Sequence, residues 1–324
     1  MLRALWRAVP ALLIAVAGLA AAQDYPTRPI TVVVPFAAGG PTDTLARNLG
    51  VVMGPLLKQQ IVIDNSAGAG GTIAANKVAK ARPDGYTLLL AHIGMSTAPA
   101  LYRKLPYDTM NDFEFIGQIA DVPMTLIANK NIPANTFKEF LAYAKANKDK
   151  LNYANAGLGA ASHLCGLLFM SAIETDFNTI PYKGTAPAMT DLIGGQVQFM
   201  CDQTTNTTQQ IKSGTVKVYG VTSKQRVPSL KEIPTLAEQG LPNFEVAVWH
   251  GLYAPKGTPK PVIDKLVAAL QTAVQEQTFK VRLADLGAEP VSKDKATPES
   301  LRNHLKAEID RWGPIIKKAG QYAD

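Results

Sequence analysis

The chain has 324 residues, of which 47% are hydrophobic, and it carries 33 Lys and Arg against 26 Asp and Glu, a formal net charge of +7. This length exceeds one ordinary core and suits two domains of about 150 residues. Basic residues are scattered and aromatic residues make up only 7%, so we expect no nucleic-acid partner. The mild excess of positive charge is consistent with an anionic ligand, and it is equally consistent with a generally basic exported protein.

The first residues have the pattern of a secretory signal peptide. Arg3 and Arg7 give a basic start, residues 8–19 are an apolar run too short to span a bilayer, and residues 20–22 are three alanines. We therefore predict a signal peptide over residues 1–22. The mature chain would have 324 − 22 = 302 residues and a charge of +7 − 2 = +5. No later stretch has the roughly 18 uninterrupted apolar residues of a membrane helix, so we expect an exported, periplasmic protein.

The first unit of the mature chain is a strand, a glycine loop and a helix. Residues 30–34 are apolar and mostly β-branched, which predicts a strand buried on both faces of a parallel sheet. Gly39 and Gly40 follow, and Pro41 opens a stretch with apolar residues at helical spacing. A helix start leaves backbone N–H groups unpaired, so this turn is a candidate anion cradle. Plain packing of a strand against a helix explains the same pattern.

The strand and helix pattern repeats twice more. Residues 60–64 predict a strand, 65–71 a glycine-rich loop and 72–80 a short helix. Residues 86–91 predict a third strand, which ends at a loop over residues 92–97. Parallel strands of one sheet end on the same side, so the three loops are expected to converge on a site.

The pattern then restarts in a second half. Residues 113–129 contain two short apolar runs, which we interpret as the first crossover between domains. Thr136 and Glu139 form a capping box that predicts a helix to about residue 148. Residues 152–154 predict a strand and 155–163 a glycine loop that repeats the opening motif. Residues 179–183, 197–200 and 216–222 predict strands, and residues 187–193 predict a helix. Residues 202–206 predict a polar loop.

Residues 245–253 predict a strand that returns to the first domain, and helices fill the remainder, the last opened by Thr297. The expected fold class is α/β, with two doubly wound domains joined by a two-crossover hinge. We place domain 1 at residues 23–124 and 248–324, and domain 2 at residues 125–247.

No catalytic, metal or cofactor motif is present in the sequence. Its histidines are far apart and lack metal-ligand spacing, there is no GxSxG elbow, and neither glycine loop completes a dinucleotide or phosphate fingerprint. We expect no catalytic residues, no metal and no cofactor. Cys165 and Cys201 are the only cysteines. They form either a disulfide, which export permits, or two small buried thiols.

Taken together, several motifs resemble one family, the substrate-binding proteins of tripartite tricarboxylate transporters (TctC or Bug), over nearly the whole mature chain. The residues that carry the resemblance are Arg28-Pro29-Ile30, Val34-Pro35-Phe36-Ala37-Ala38-Gly39-Gly40 with Asp43, Gly68-Ala69-Gly70-Gly71, Pro83-Asp84-Gly85-Tyr86-Thr87-Leu88, Pro181-Tyr182-Lys183-Gly184 with Pro187-Ala188, and Trp249-His250-Gly251-Leu252-Tyr253-Ala254-Pro255 with Gly257-Thr258-Pro259.

The resemblance implies a monomeric, two-domain periplasmic binding protein (Venus flytrap) that closes on a small carboxylate and delivers it to a membrane permease. A ligand-sensing receptor for a sensor kinase and an exported enzyme on the same fold are the alternatives. The sequence does not decide among mono-, di- and tricarboxylates as the ligand. It also does not decide between aliphatic dicarboxylates and aromatic ones such as terephthalate. Many family members carry a hydroxyl residue at the positions of Asn155 and Ala160, and this chain departs from them at both.

The expected ligand-binding residues come from loops in both halves. We expect one carboxylate to be held mainly by backbone N–H groups of the two glycine loops, with Asp43 organising its own loop. Ser162 and Asn155 either reach the ligand or its waters, or only cap a helix and turn the chain. The polar segment 201–206 either reads the distal end of the ligand or is a helix start that Asp202 or Thr204 caps. The full set is Phe36, Ala38, Gly39, Gly40, Thr42, Asp43, His92, Ser96, Asn155, Gly157, Gly159, Ala160, Ser162 and Asp202.

Overall fold

The computed structural model describes residues 25–320 and 322. The predicted signal peptide therefore lies outside the described residues. Within them, no helix is both long enough and apolar enough to cross a bilayer. The fold is mixed α/β, with helices around a sheet that runs through both halves.

The first half contains the three predicted strand and helix units. Its elements are β1 (Ile30–Val34), α1 (Pro41–Leu57), β2 (Ile61–Asn65), α2 (Thr72–Ala79), β3 (Thr87–His92) and α3 (Gly94–Leu101). Strands β2 and β3 both pair in parallel with β1, so the loops after them converge as predicted. The loop expected over residues 92–97 is wrong, because α3 begins there. Gly94 and Pro99 suggest a break, yet Pro99 is tolerated within this short helix.

Residues 113–129 form one long strand, not two short ones. This strand is β4 (Phe113–Asn129), and it pairs antiparallel with the return strand β9 (Ala247–Pro255). The pairing with β9 ends at Pro123, and pairing with the second half begins at Met124. A proline has no N–H to donate, so it fits the point where a strand changes partners. Strand β4 therefore belongs to the sheets of both halves.

The second half repeats the strand and helix alternation. Its elements are α4 (Phe137–Ala146), β5 (Asn152–Asn155), α5 (Ala161–Ile173), β6 (Asn178–Pro181), α6 (Thr185–Gly194), β7 (Phe199–Gln203), α7 (Thr204–Lys212) and β8 (Val216–Val221). The capping box of Thr136 and Glu139 is confirmed, with both hydrogen bonds present. The loop predicted over residues 202–206 is wrong, because Asp202 and Gln203 end β7 and α7 begins directly at Thr204.

The C-terminal helices return to the first half, as predicted. They are α8 (Lys260–Ala273), α9 (Gln277–Asp285) and α10 (Pro298–Ala319), with the short strand β10 (Glu289–Pro290) between the last two. Helix α8 contacts α1 and β4, while α10 contacts α3 and β4. Thr297 caps α10 by accepting a hydrogen bond from the Ser300 N–H.

A disulfide joins Cys165 of α5 to Cys201 of β7, with Cα atoms 6.1 Å apart. Of the two possibilities that the sequence leaves open, the structure thus has the bridge. It ties the helix that follows the second glycine loop to the strand that ends at Gln203. Both cysteines are fully buried in the larger core, which also contains Phe169 and Phe199.

Candidate functional site

A small closed cavity lies where the loops of the two halves meet. Phe36, Thr42 and His92 come from the first half, and Met124 comes from the shared strand β4. The cavity volume is about 10 Å³, roughly the space that one water occupies. The second half contributes the remaining wall, which includes Ala156, Ala160, Ala161, Ser162, Thr185, Asp202 and Gln203.

Four helix N-termini surround this cavity. Thr42 lies in the first turn of α1, Ser162 in the first turn of α5, Thr185 begins α6, and Gln203 is the N-cap of α7. First-turn N–H groups have no acceptor within their own helix, and each helix dipole is positive at this end. Four such ends directed at one cavity create a region that favours an anion.

The wall contains no Lys or Arg among the described residues. Its histidine is neutral at physiological pH, because burial lowers the pKa of His92 to about 4. The His92 Nδ1 accepts a hydrogen bond from the Gly94 N–H, which places the ring proton on Nε2. Attraction for an anion would therefore come from backbone dipoles and hydrogen bonds.

In the first loop, the buried Asp43 carboxylate holds the chain in place. Its Oδ2 accepts hydrogen bonds from the Gly39 N–H and from Arg47 Nε, both at 2.9 Å. Its Oδ1 accepts one from Asn65 Nδ2 at 3.0 Å, and the same amide donates to the Phe36 carbonyl. Burial by itself raises the pKa of Asp43, but the hydrogen bonds from Arg47, Gly39 and Asn65 outweigh it and hold the pKa below its ordinary value. This geometry agrees with the organising role expected of Asp43.

In the second loop, neutral side chains perform the same task. Ser162 Oγ accepts from the Ala156 N–H at 2.8 Å, and Asn155 Oδ1 accepts from the Gly157 N–H at 2.8 Å. The Gly159 N–H donates to His163 Nδ1 at 3.2 Å. Ser162 and Asn155 thus have structural roles in this loop, and Ser162 also faces the cavity. The Asn155 Nδ2 is buried without a hydrogen-bond partner among the described residues.

The glycine N–H groups of both loops are therefore already engaged within the protein. Besides the bonds above, the Gly40 N–H donates to the Ala37 carbonyl and the Ala160 N–H donates to the Gly157 carbonyl. In this closed arrangement, the groups that face the cavity are the first turns of the helices.

The two halves contact each other directly around the cavity. Thr97 Oγ1 of α3 donates to the Gly159 carbonyl at 2.8 Å, and the Ala37 N–H donates to the Lys183 carbonyl at 3.0 Å. A Cβ added at Gly70 would lie 1.9 Å from the Leu158 carbonyl oxygen, closer than any real contact. The structure is thus a closed form in which the first and second halves touch through backbone atoms.

A stacked pair of rings separates the cavity from a second one in the first half. Phe36 and His92 stack with centroids 4.7 Å apart, and both line the two cavities. The second cavity is also about 10 Å³, and Gly71, Thr72 and Met95 lie in its wall. Movement of the two rings would join the spaces.

Asp202 is the ionisable group on the second half's side of the cavity. Its Oδ1 accepts from the Gln203 N–H at 2.8 Å and its Oδ2 from Asn206 Nδ2 at 2.6 Å. Burial raises the pKa of Asp202 to about 6, against these hydrogen bonds. A carboxyl so placed would repel an anionic ligand when ionised and would repel it less when protonated.

The structure brings six of the fourteen predicted residues into the cavity wall: Phe36, Thr42, His92, Ala160, Ser162 and Asp202. Six others lie in the supporting loops and outside the wall: Gly39, Gly40, Asp43, Asn155, Gly157 and Gly159. Ala38 is exposed, and the Ser96 hydroxyl donates to the Ile93 carbonyl inside the first-half core. Neither of these two reaches the cavity wall.

The sequence interpretation missed Met124, Thr185 and His250. Gln203 belongs to the polar segment 201–206, which the sequence analysis considered for the distal end of the ligand. Thr185 follows the strand predicted over residues 179–183, which was the available signal for a place at a helix start. His250 Nε2 lies 3.5 Å from Thr42 Oγ1. Burial, together with the nearby His92, lowers the pKa of His250 well below its ordinary value, so this ring is neutral. No group of metal-ligating side chains occurs within the described part of the chain.

Comparison with known proteins gives a consistent result. The TctC family model, described as "Tripartite tricarboxylate transporter family receptor", matches residues 45–321. The solved structure of the periplasmic binding protein BugD is 54% identical, with a TM-score of 0.90, over 92% of this chain and 99% of that one.

Two further solved structures contain carboxylates. MatC from Rhodopseudomonas palustris, with bound malate, is 41% identical with a TM-score of 0.86, over 90% of this chain and 100% of that one. A second R. palustris protein, with adipate, is 36% identical with a TM-score of 0.87, over 92% and 99% of the two chains. These neighbours are two-domain binding proteins, so the fold class expected from the sequence is confirmed.

Proposed function

Because the chain belongs to the TctC family of tripartite tricarboxylate transporter receptors, we propose that it is a periplasmic solute-binding protein for a small dicarboxylate. It captures the ligand between its halves and delivers it to a membrane permease of the tripartite tricarboxylate type. It has no catalytic activity of its own in this proposal. The relatives with solved structures support it, since they are binding proteins.

The observation that carries the proposal is the convergence of four helix N-termini on one closed cavity. Charge-assisted hydrogen bonds from such N–H groups contribute about 1.5–3 kcal/mol each. A carboxylate could therefore be held without an arginine or a lysine. The neutral His92 and the hydroxyls of Thr42 and Ser162 add further polar groups in the same wall.

Binding on this account requires an opening motion. A volume of about 10 Å³ is too small for a dicarboxylate. Strands β4 and β9 join the halves, and Pro123 opposite Ala247 is the last residue pair of their antiparallel ladder. We propose that the hinge lies there, which corresponds to a domain 1 of residues 23–124 and 248–324 and a domain 2 of residues 125–247.

The proposal also concerns which class of dicarboxylate binds. Malate and adipate in the neighbouring structures favour aliphatic dicarboxylates of four to six carbons. The stacked Phe36 and His92 offer an aromatic surface, so terephthalate remains within the proposed range.

A thermal-shift screen of mono-, di- and tricarboxylates tests the proposal, with calorimetry on those that raise the melting temperature. Malate, adipate and terephthalate belong in the set, and their dimethyl esters serve as uncharged controls. We expect at least one dicarboxylate to bind and its ester not to bind. Incubation of the bound compound with the protein should leave it chemically unchanged. Absence of binding by every carboxylate, or turnover of one, would overturn the proposed function.

A further inference from the structure

A groove lies on the outside of the first half, between α1 and β2, and it is separate from the cavity wall. Its volume is about 960 Å³. Gly50 and Gly54 of α1 face β2, where an added Cβ would press against Ile61 or the Gln59 carbonyl. The missing side chains let the helix lie close to the strand and form the floor of the groove.

Both apolar and basic side chains line the groove. Val51 is 57% exposed and Val62 46% exposed, which are large values for apolar side chains. Arg47 and Lys58 also line the groove, and no Asp or Glu does among the described residues. A partner that fits must therefore combine apolar side chains with carboxylates.

Strand β2 adds a main-chain feature to this surface. It is the last strand of the sheet order and pairs only with β1 among the described strands. The backbone N–H and C=O groups on its outer edge are thus available to another extended segment. A second copy of this chain would bring the same cations to a two-fold contact, which disfavours self-pairing.

We propose that this groove docks an extended, acidic and apolar segment of the membrane partner. The proposal rests on the function proposed above, since it concerns delivery to a permease. Arg47 connects the groove to the first glycine loop. Its side chain is 55% exposed in the groove, while its Nε donates to Asp43, the residue that holds the Gly39 N–H of the ligand loop. A carboxylate of the docked segment competes with Asp43 for this guanidinium, and docking thereby loosens the loop.

Uptake of radiolabelled malate or adipate, whichever binds the purified protein, tests the proposal in cells that lack the chromosomal gene. The cells retain the permease genes and carry each variant on a plasmid. Val62→Glu and Lys58→Glu should lower uptake at least about tenfold, while the dissociation constant of the purified variants stays within about twofold. Ile193→Glu is a comparable change from a β-branched apolar residue to Glu, and Lys138→Glu repeats the charge reversal, both on exposed sites of the second half. These two controls should leave uptake unchanged.

Wild-type uptake by both groove variants would overturn the docking proposal and leave the binding function intact. Equal losses in the control variants would overturn it as well. If the wild-type protein is a dimer by light scattering and Val62→Glu is a monomer, the occupant is a second copy and the proposal is wrong. If the wild-type protein binds no carboxylate or its gene does not affect uptake, the proposed function itself fails.

Discussion

The two glycine loops that face each other across the cavity have the same sequence of elements but different internal supports. The first loop is held by one buried carboxylate, Asp43, which is paired with Arg47 at the surface. The second is held by three neutral acceptors, on Asn155, Ser162 and His163. A charged support connects the first loop to the outside of the molecule, whereas a neutral support leaves the second loop independent of the surface. The two loops should therefore respond differently to substitution.

The largest effect should come from keeping the two halves apart. In Gly70→Ala, the new Cβ collides with the Leu158 carbonyl, so the halves cannot close. We expect affinity for the dicarboxylate to fall at least about 30-fold, which corresponds to ~2 kcal/mol. Small-angle scattering of this variant with saturating ligand should retain the larger radius of gyration of an open form.

Gly214→Ala is the matched control for this variant. Gly214 has φ +67°, close to the +60° of Gly70, but nothing lies within 4 Å of an added Cβ. Both substitutions therefore carry the same backbone strain, and only one blocks closure. Equal affinity loss in the two variants would show that strain, and not the contact with Leu158, is responsible.

Removal of the charged support should have the next largest effect. Asp43→Ala leaves the Gly39 N–H and Arg47 Nε without their acceptor and removes one of the two acceptors of Asn65 Nδ2. We expect a loss of about 2–3 kcal/mol in stability and about tenfold in affinity. Asp43→Asn keeps one acceptor oxygen and should be milder in both respects. Because the pKa of Asp43 is lowered in the fold, its contribution is present above the unfolded pKa and is lost as pH falls through the folded pKa.

Thermal unfolding and calorimetry of the two Asp43 variants check this expectation. If Asp43→Asn instead binds the ligand much more tightly than the wild type, the charge opposes the ligand and the organising role is wrong.

Asp202 should make ligand affinity depend on pH. Its folded pKa is raised to about 6, so the ionised form dominates at pH 8 and the neutral form gains as pH falls. An anionic ligand should therefore bind about three- to tenfold more tightly at pH 6 than at pH 8. Calorimetry across this range measures the slope, and Asp202→Asn should flatten it. An unchanged slope in Asp202→Asn would assign the dependence to another group.

The neutral loop should show the smallest effects. Ser162→Ala removes the acceptor of the Ala156 N–H, and Asn155→Ala removes that of the Gly157 N–H, each at a cost of about 1 kcal/mol in stability. Ser162 also lines the cavity, so its variant should lose affinity about threefold, while Asn155→Ala should lose less. Paired melting and calorimetry separate the two contributions. A larger loss of affinity in Asn155→Ala would reverse the assignment.

Local sequence signals predicted the elements that carry these loops. Strand β1 begins and ends as its apolar run indicates, and Pro41 marks the start of α1. Helix α3 was missed because Gly94 and Pro99 disfavour helix in isolation, and tertiary contacts with α10 override that preference. Strand β4 was interpreted as two short apolar runs. It is continuous because it pairs with strands of both halves, and that pairing is not visible in a short stretch of sequence.

The cavity itself was only partly predictable. Thr42, Ser162 and Asp202 could be chosen because they follow or end predicted strands. Met124 and Thr185 reach the cavity through the strand order of the sheet, which depends on contacts distant in sequence. The engagement of the glycine N–H groups by Asp43, Asn155 and His163 also depends on side-chain geometry that no motif encodes.

A crystal structure of the protein with the tightest-binding dicarboxylate tests the central claim most directly. We predict that one ligand carboxylate lies between the two loops, within hydrogen-bonding distance of first-turn N–H groups of α1 and α5 and of the Thr42 or Ser162 hydroxyl. No Lys or Arg should contact that carboxylate. A ligand seated in the groove between α1 and β2, or held by an arginine or a lysine, would contradict the account.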